Sequence, residues 1–203
     1  MHHKSTTTVN LPQAVIAGLD LKNPIDLEFV GIKKDMTVRF FQSGQCYPFK
    51  KLQATYFALI LNEFYKDKPA QKFFKVLEKE EGITLTTVRK VELYTYFMWG
   101  GLDHKPDIKN GELQPSENFR HIENCPSLAF ANKSLKINGA ELNTRDLLII
   151  DMSARGCTDY EIADALHITV ITLNHHKKNL FTKTGTDCKL SLVSASYKNQ
   201  ILA

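Results

Sequence analysis

The stretch from Leu142 to Val193 reads LNTRDLLIIDMSARGCTDYEIADALHITVITLNHHKKNLFTKTGTDCKLSLV, and its punctuation decides the fold of the C-terminal part of the chain. Asn143 is placed to cap a first helix, with Asp146 three residues on as its acidic partner. Gly156 ends that helix, because glycine takes the left-handed cap conformation without a steric penalty. Thr158 and Glu161 form a T-x-x-E capping box for a second helix. Thr169 opens a third, so that only His167, Ile168 and Thr169 form the turn between the two, as a helix-turn-helix requires. Asp187 is placed to cap a fourth helix from Cys188 to Asn199, with Leu190, Val193, Tyr197 and Ile201 as its apolar stripe.

These residues resemble the DNA-binding domain of LuxR/GerE-type regulators, shared with NarL/FixJ-type response regulators. The matching positions are Leu142, Arg145-Asp146, Gly156, Glu161-Ile162-Ala163, Leu166, Ile168-Thr169, Thr172-Leu173, His176, Asn179-Leu180, Lys183, Gly185, Lys189 and Leu192-Val193. They run without a gap over roughly the last third of the chain. The departures are Asn143 where Thr is usual, Thr184 where Leu is usual, and Thr186 where a β-branched apolar residue is usual.

The resemblance implies that the third helix, from Val170 to about Thr184, lies in the major groove of DNA. Leu173 and Leu180 are seven apart and face the core, which turns Ile171, Asn174, His175 and Lys178 outward. The family's base-contacting positions fall on Asn174, His175 and Lys178. Asn suits adenine, Lys suits guanine, and Ile171 can pack on a thymine methyl. Thr169, Thr172, His176, Lys177 and Lys183 are the expected phosphate contacts. The resemblance also makes the fourth helix a dimer contact, through Leu190, Val193 and Tyr197. Adjacent residues on a helix point roughly a hundred degrees apart, so His175 and His176 are not read as one metal site. In the first helix, Leu147 and Leu148 fall where the family tends to be polar. With Met152 they are expected to face outward and dock on the N-terminal domain.

Composition is that of an ordinary globular chain: 203 residues, 43% hydrophobic, 24% charged, net charge +4. The longest apolar runs are far too short for a membrane span, and MHHKSTTTVN has no apolar leader core. His2-His3 is read as part of a disordered start, and the expected location is the cytoplasm. From Leu142 to Thr169 acidic residues outnumber basic ones. From Val170 onward five lysines face a single acid, the polarity a phosphate-facing surface needs. Cys46, Cys125, Cys157 and Cys188 lie far apart, so reduced thiols are expected.

Upstream, a mildly apolar Ala14 to Leu19 suggests a short helix. Ile25, Leu27 and Phe29 alternate with Asp26 and Glu28; Met36, Val38 and Phe40 alternate with Thr37 and Arg39. Period two predicts an antiparallel hairpin with one solvated face. Three helices follow: Leu52 to Phe64; one with Pro69 in its first turn and Gly82 at its end; and Thr86 to Met98, with Val88, Val91, Thr95 and Met98 on one face. The dense aromatics here read as core packing rather than a ligand pocket. A second small hairpin is expected, with Leu128 and Phe130 opposite Leu135 and Ile137.

The fold class is therefore α+β: an N-terminal β-hairpin packed with helices, then an all-α four-helix domain. Expected boundaries are 1–101 for an N-terminal domain of unknown role, 102–139 for an ordered connector, and 140–203 for the helix-turn-helix domain. The N-terminal part lacks the pattern of a phospho-acceptor receiver and does not match the acyl-homoserine-lactone-binding domain. His104, Asp107, His121, Glu123 and Cys125 are metal-ligand types at irregular spacing, so no metal and no cofactor is expected. No Gly-rich phosphate loop and no G-x-S-x-G occurs. The reading is a non-enzymatic, sequence-specific DNA-binding transcriptional regulator. Its expected partners are double-stranded DNA, a second copy of the chain, and RNA polymerase. Two alternatives stay open: a metal- or ligand-binding module localised to DNA, and a protein-interaction adaptor such as a co-regulator or antirepressor.

Overall fold

In the computed structural model residues 16–19, 21 and 23–202 are described. Leu27–Ile32 (β1) and Thr37–Gln42 (β2) pair antiparallel, Phe29 opposite Phe40. Leu27, Phe29, Val38 and Phe40 point into the core, as the alternation predicts. Gln45–Pro48 (β3) adds to β2. On the other edge, Ile108–Lys109 (β4) pairs with β1 and Glu112–Leu113 (β5) with β4, giving the order β3-β2-β1-β4-β5. Met36, expected on the inward face of β2, instead sits in the preceding turn with φ 53°. Residues 16–19 form a turn rather than a helix; Ala14 and the opening histidines lie outside the described residues.

Three helices cover the inward face: Ala54–Lys66 (α1), Lys68–Glu81 (α2) and Thr87–Trp99 (α3). Pro69 lies in the first turn of α2 and Gly82 caps it in the left-handed conformation. Val88 is exposed, while α3 is buried on most sides from Val91 to Trp99, wedged between the sheet and α1. The aromatics fill this core: Phe64, Phe73, Phe74, Tyr94, Phe97 and Phe130 meet at edge-to-face, tilted and stacked angles. Asp67, fully buried, caps α2 at Ala70 N–H. It also accepts from Ala131 N–H, Asn132 N–H and the Tyr94 hydroxyl, which satisfies its charge.

The second small hairpin forms elsewhere than expected. Residues 126–129 make a 3-10 turn, and Lys136–Ile137 (β6) pairs with Ala140–Glu141 (β7). Asn138-Gly139, both at positive φ, make a two-residue turn that brings only these short strands together. Then come Thr144–Ala154 (α4), Asp159–Ala165 (α5), Val170–Thr184 (α6) and Lys189–Lys198 (α7). Their core is Ile149, Ile150, Ile162, Leu173, Leu180, Leu192 and Ile201, closed by Leu135 and Ile137.

Residues 102–139 are thus shared. Ile108, Cys125 and Phe130 belong to the first core, Leu135 and Ile137 to the second, and Leu128 touches both. Where the two meet, Arg120 is buried beside Asp151 of α4. Its guanidinium gives two parallel bonds to the carboxylate, at 2.9 and 2.7 Å, and others to the Glu123 and Ile201 carbonyls. Asn118 adds bonds to the Lys136 and Asn199 carbonyls. Removing one partner of such a buried pair leaves an uncompensated charge, a loss of about 3–5 kcal/mol. Arg120→Ala is expected to lose that much in urea unfolding, and Arg120→Ala/Asp151→Ala less than the two single losses combined. Strictly additive losses below about 1 kcal/mol would mean that the pair does not hold the junction.

Candidate nucleic-acid interface

The caps seen in the sequence form the helices of the C-terminal unit. Asn143 Oδ1 accepts from Asp146 N–H at 2.9 Å and Asp146 accepts from Asn143 N–H, a reciprocal capping box. Thr158 and Glu161 form the second. Gly156 stands at φ 83°, where a side chain would be strained. Thr169 caps α6 through Thr172 N–H. The turn between α5 and α6 is Leu166 to Thr169, one residue longer than expected, with His167 at φ 53°. The fourth helix departs from expectation. Cys188, not Asp187, is its cap residue, and Asp187 accepts from the Ser191 hydroxyl instead.

Leu173 and Leu180 anchor α6 in the core. Its opposite face presents Ile171, 84% exposed, with Asn174, His175 and Lys178, all exposed. The four residues expected to read bases therefore share one open helix face. His175 is held by Asn179 at 3.2 Å.

The residues expected on phosphates divide. Thr169 and Thr172 are exposed at the helix N-terminus, with their hydroxyls 3.0 Å apart. Lys177 is spent on Asp159 of α5, at 2.8 Å. Lys183 meets Asp146 of α4 and the Glu141 carbonyl. His176 meets Arg145 of α4 at 3.1 Å. These three brace α6 against its neighbours.

On α7 the buried face is Leu192, Ser196 and, beyond it, Ile201. That leaves Leu190 (78% exposed) and Tyr197 (54% exposed) outward, with Val193 half-buried. Ile201 thus belongs to the core rather than to the outward stripe. Leu147 and Leu148 are a correction: Leu147 is buried in the C-terminal core and Leu148 packs half-buried against it. Packing of α4 against both α5 and α7 consumes that face. The link to the preceding part of the chain includes Arg120, Asn118 and Leu128 instead.

The metal-ligand types noted in sequence do not converge. His121 meets the Tyr96 hydroxyl, Glu123 pairs with Arg155, and Cys125 lies by Ser127. Asp107 joins a different group, with Glu28 and Glu117, one carboxylate oxygen of each lying within 4.8 Å of the others. Glu28 was expected on a solvated face of β1. It is fully buried, because residues 100–117 fold across that face. Asp103 N–H donates to Glu28 Oε1, Phe29 N–H to Asp107 Oδ2, and Gly101 N–H to Glu117 Oε2. A Cβ at Gly101 would meet that Glu117 oxygen at 2.6 Å, so a side chain there would push the Glu117 carboxyl aside. Lys133 sends its ammonium to the Phe97 carbonyl, 2.7 Å away. A groove of about 550 Å³ lies nearby, lined among others by Tyr94, Trp99, Gln114 and Asn132.

Burial pushes the Glu28 carboxyl up to about 9, with Glu117 and Asp103 adding repulsion. Burial, then Asp103, pushes Glu117 to about 7, and burial with both glutamates drives Asp107 well above its ordinary value. Burial draws Lys133 down to about 7 against the pull of Glu117.

Residues 140–195 match the family GerE, "Bacterial regulatory proteins, luxR family". That segment is a LuxR-family helix-turn-helix domain. Among curated proteins, "Oxygen regulatory protein NreC" of Staphylococcus aureus strains JH9 and USA300 is 36% identical over 61 residues, 30% of this chain and 28% of the relative. The chain thus spans under a third of the length of the curated relatives it matches. No solved structure matches it. Among the described residues no helix is long and apolar enough to cross a membrane.

The acidic group sets a pH dependence. Glu28 and Glu117 hold protons in the folded chain that the unfolded chain releases near 4.5, so their stabilisation is full below 4.5 and is lost as pH rises through about 7 toward about 9. The Lys133 penalty grows only as pH falls from 10.5 to about 7 and is constant below. Asp35, Glu78, Glu141, Glu161 and Asp187, held below their ordinary range, act only at more acid pH. In chelator, Tm is therefore expected to fall between pH 5 and 7, and less steeply in Glu28→Gln. A rising Tm in that window would contradict this account.

Proposed function

We propose that the protein is a DNA-binding transcriptional regulator that reads sequence with α6 of its LuxR-type helix-turn-helix. The observation that carries this is the open face of Ile171, Asn174, His175 and Lys178 on a capped, internally braced helix, within a segment that matches a family of bacterial regulators. Asn174 has the donor and acceptor to take adenine in a bidentate way, and Lys178 can donate to guanine. Ile171 supplies an apolar contact for a thymine methyl.

The structure favours Thr169 and Thr172 as phosphate contacts, since their hydroxyls stand at a helix N-terminus where anions bind well. Lys177, Lys183 and His176 support the reading differently from the sequence expectation. They set the pose of α6, and reach phosphate only by leaving Asp159, Asp146 and Arg145. Leu190 and Tyr197, outward on α7 with the half-buried Val193 beside them, would be the contact of a homodimer, which would read two half-sites about one helical turn apart. The 1–101 and 140–203 units would then act as separate input and output domains joined by 102–139.

Fluorescence anisotropy of the 203-residue protein on its source's promoter fragments tests this. Wild type should bind with an affinity that falls steeply with salt. Asn174→Ala/Lys178→Ala should lose about 10- to 100-fold on the preferred site and little on random duplex. Equal loss on both sequences, or no binding at low salt by the full chain, would remove α6 as a base reader.

A further inference from the structure

We propose that Glu28, Asp107 and Glu117 form a binding site for one hard divalent cation, of the calcium or magnesium kind, which pins residues 100–117 to β1. The inference stands apart from the DNA reading. Among the described residues, the buried side-chain oxygens without a hydrogen-bond partner are Glu28 Oε2 and Glu117 Oε1, and both belong to this group. A buried carboxyl oxygen left unpaired is costly, and two in one cluster point to a shared partner. The remaining oxygen of each glutamate is held by a backbone N–H, of Asp103 and Gly101 respectively, as is Asp107 Oδ2 by Phe29 N–H. The carboxylates are thus oriented before any ion arrives.

Donor chemistry selects the ion. The three donors are carboxylate oxygens, with no imidazole or thiolate in the group, a set suited to Ca²⁺, Mg²⁺ or Mn²⁺ rather than zinc or copper. A spread within 4.8 Å matches donors about 2.1–2.5 Å from a common centre. Charge agrees once the ion displaces the protons that burial leaves on the cluster: its two positive charges then meet three carboxylates, with Asp103 at the rim. Water would complete the shell. The ligands come from β1, from the residue before β4, and from a segment three residues short of Arg120, so one ion would cross-link the strand and the segment that leads to the junction.

The test uses the 203-residue protein stripped with chelator, then titrated with CaCl₂, MgCl₂ or MnCl₂ alone. Isothermal titration should give one equivalent per chain, and Tm should rise by about 5–10 °C at a hundredfold excess over Kd. Glu28→Gln and Glu117→Gln, which keep shape and remove charge, should match or exceed wild type in chelator yet lose the ion-dependent rise. On wild type, hydrogen exchange should slow selectively at residues 28–30 and 100–117 when the ion is added, which settles the matter even if a variant misfolds. No binding at 10 mM of any of the three ions would overturn the site and leave shared protons to neutralise the cluster. So would an equal Tm rise in both variants, or protection confined to other residues.

Discussion

One buried guanidinium holds the two halves of this chain in register. Arg120 and Asp151 are each 5% exposed, so both charges have lost most of their water. In such surroundings an ion pair is tolerable only when its geometry is good and the remaining donors are used. Here the bidentate pairing, the Glu123 carbonyl and the Ile201 carbonyl use every arm of the fork. Three distant pieces meet at one side chain: the middle segment, α4, and the chain beyond α7. A hydrophobic contact could hold them as tightly, but it would not fix their angle. Directional bonds to a planar group do, and the pose of α4 sets that of α6 through Arg145, Asp146 and their partners.

The middle segment therefore has a structural task that its irregular sequence conceals. It places Ile108 and Phe130 in the aromatic core, Leu135 and Ile137 in the helical core, and ties itself to Asp67 through the Ala131 and Asn132 amides. Backbone that would otherwise be unsatisfied is bonded across the boundary, which is why a stretch with little regular secondary structure is ordered.

Legibility in the sequence followed the range of the forces involved. The C-terminal caps were readable because each is a local exchange of hydrogen bonds over three residues, at Asn143/Asp146 and Thr158/Glu161. The β1–β2 hairpin was readable because period two is local as well. The second hairpin differs from the expectation although its signal is local: Asn138-Gly139 is a strong two-residue turn pair, and Asn110-Gly111 makes the same kind of turn between β4 and β5. Glu28 could not be read as buried, because what covers it lies more than seventy residues away. Glu117 is hidden by the same limit, and the partners of Lys177 and Lys183 lie on other helices, 18 and 37 residues away. On α4, the apolar excess of Leu147 and Leu148 suggested a docking face, whereas the helix is buried on more sides than one stripe implies.

That last lesson bears on charge. Of the five lysines after Val170, Lys177 and Lys183 are neutralised by Asp159 and Asp146, and Lys189 is bonded to the Cys157 carbonyl. The charges of Lys177 and Lys183 brace α6 rather than project from it, so the electrostatic face is weaker than the count of lysines implies. If DNA is the ligand, one copy of the domain then has few cations for counterion release and must draw affinity from the exposed base-reading side chains and the α6 N-terminus. A second copy would double that small sum. The outward Leu190 and Tyr197 matter for this reason: in a domain whose lysines hold its own helices in place, pairing is the cheapest way to lengthen the contact with the duplex.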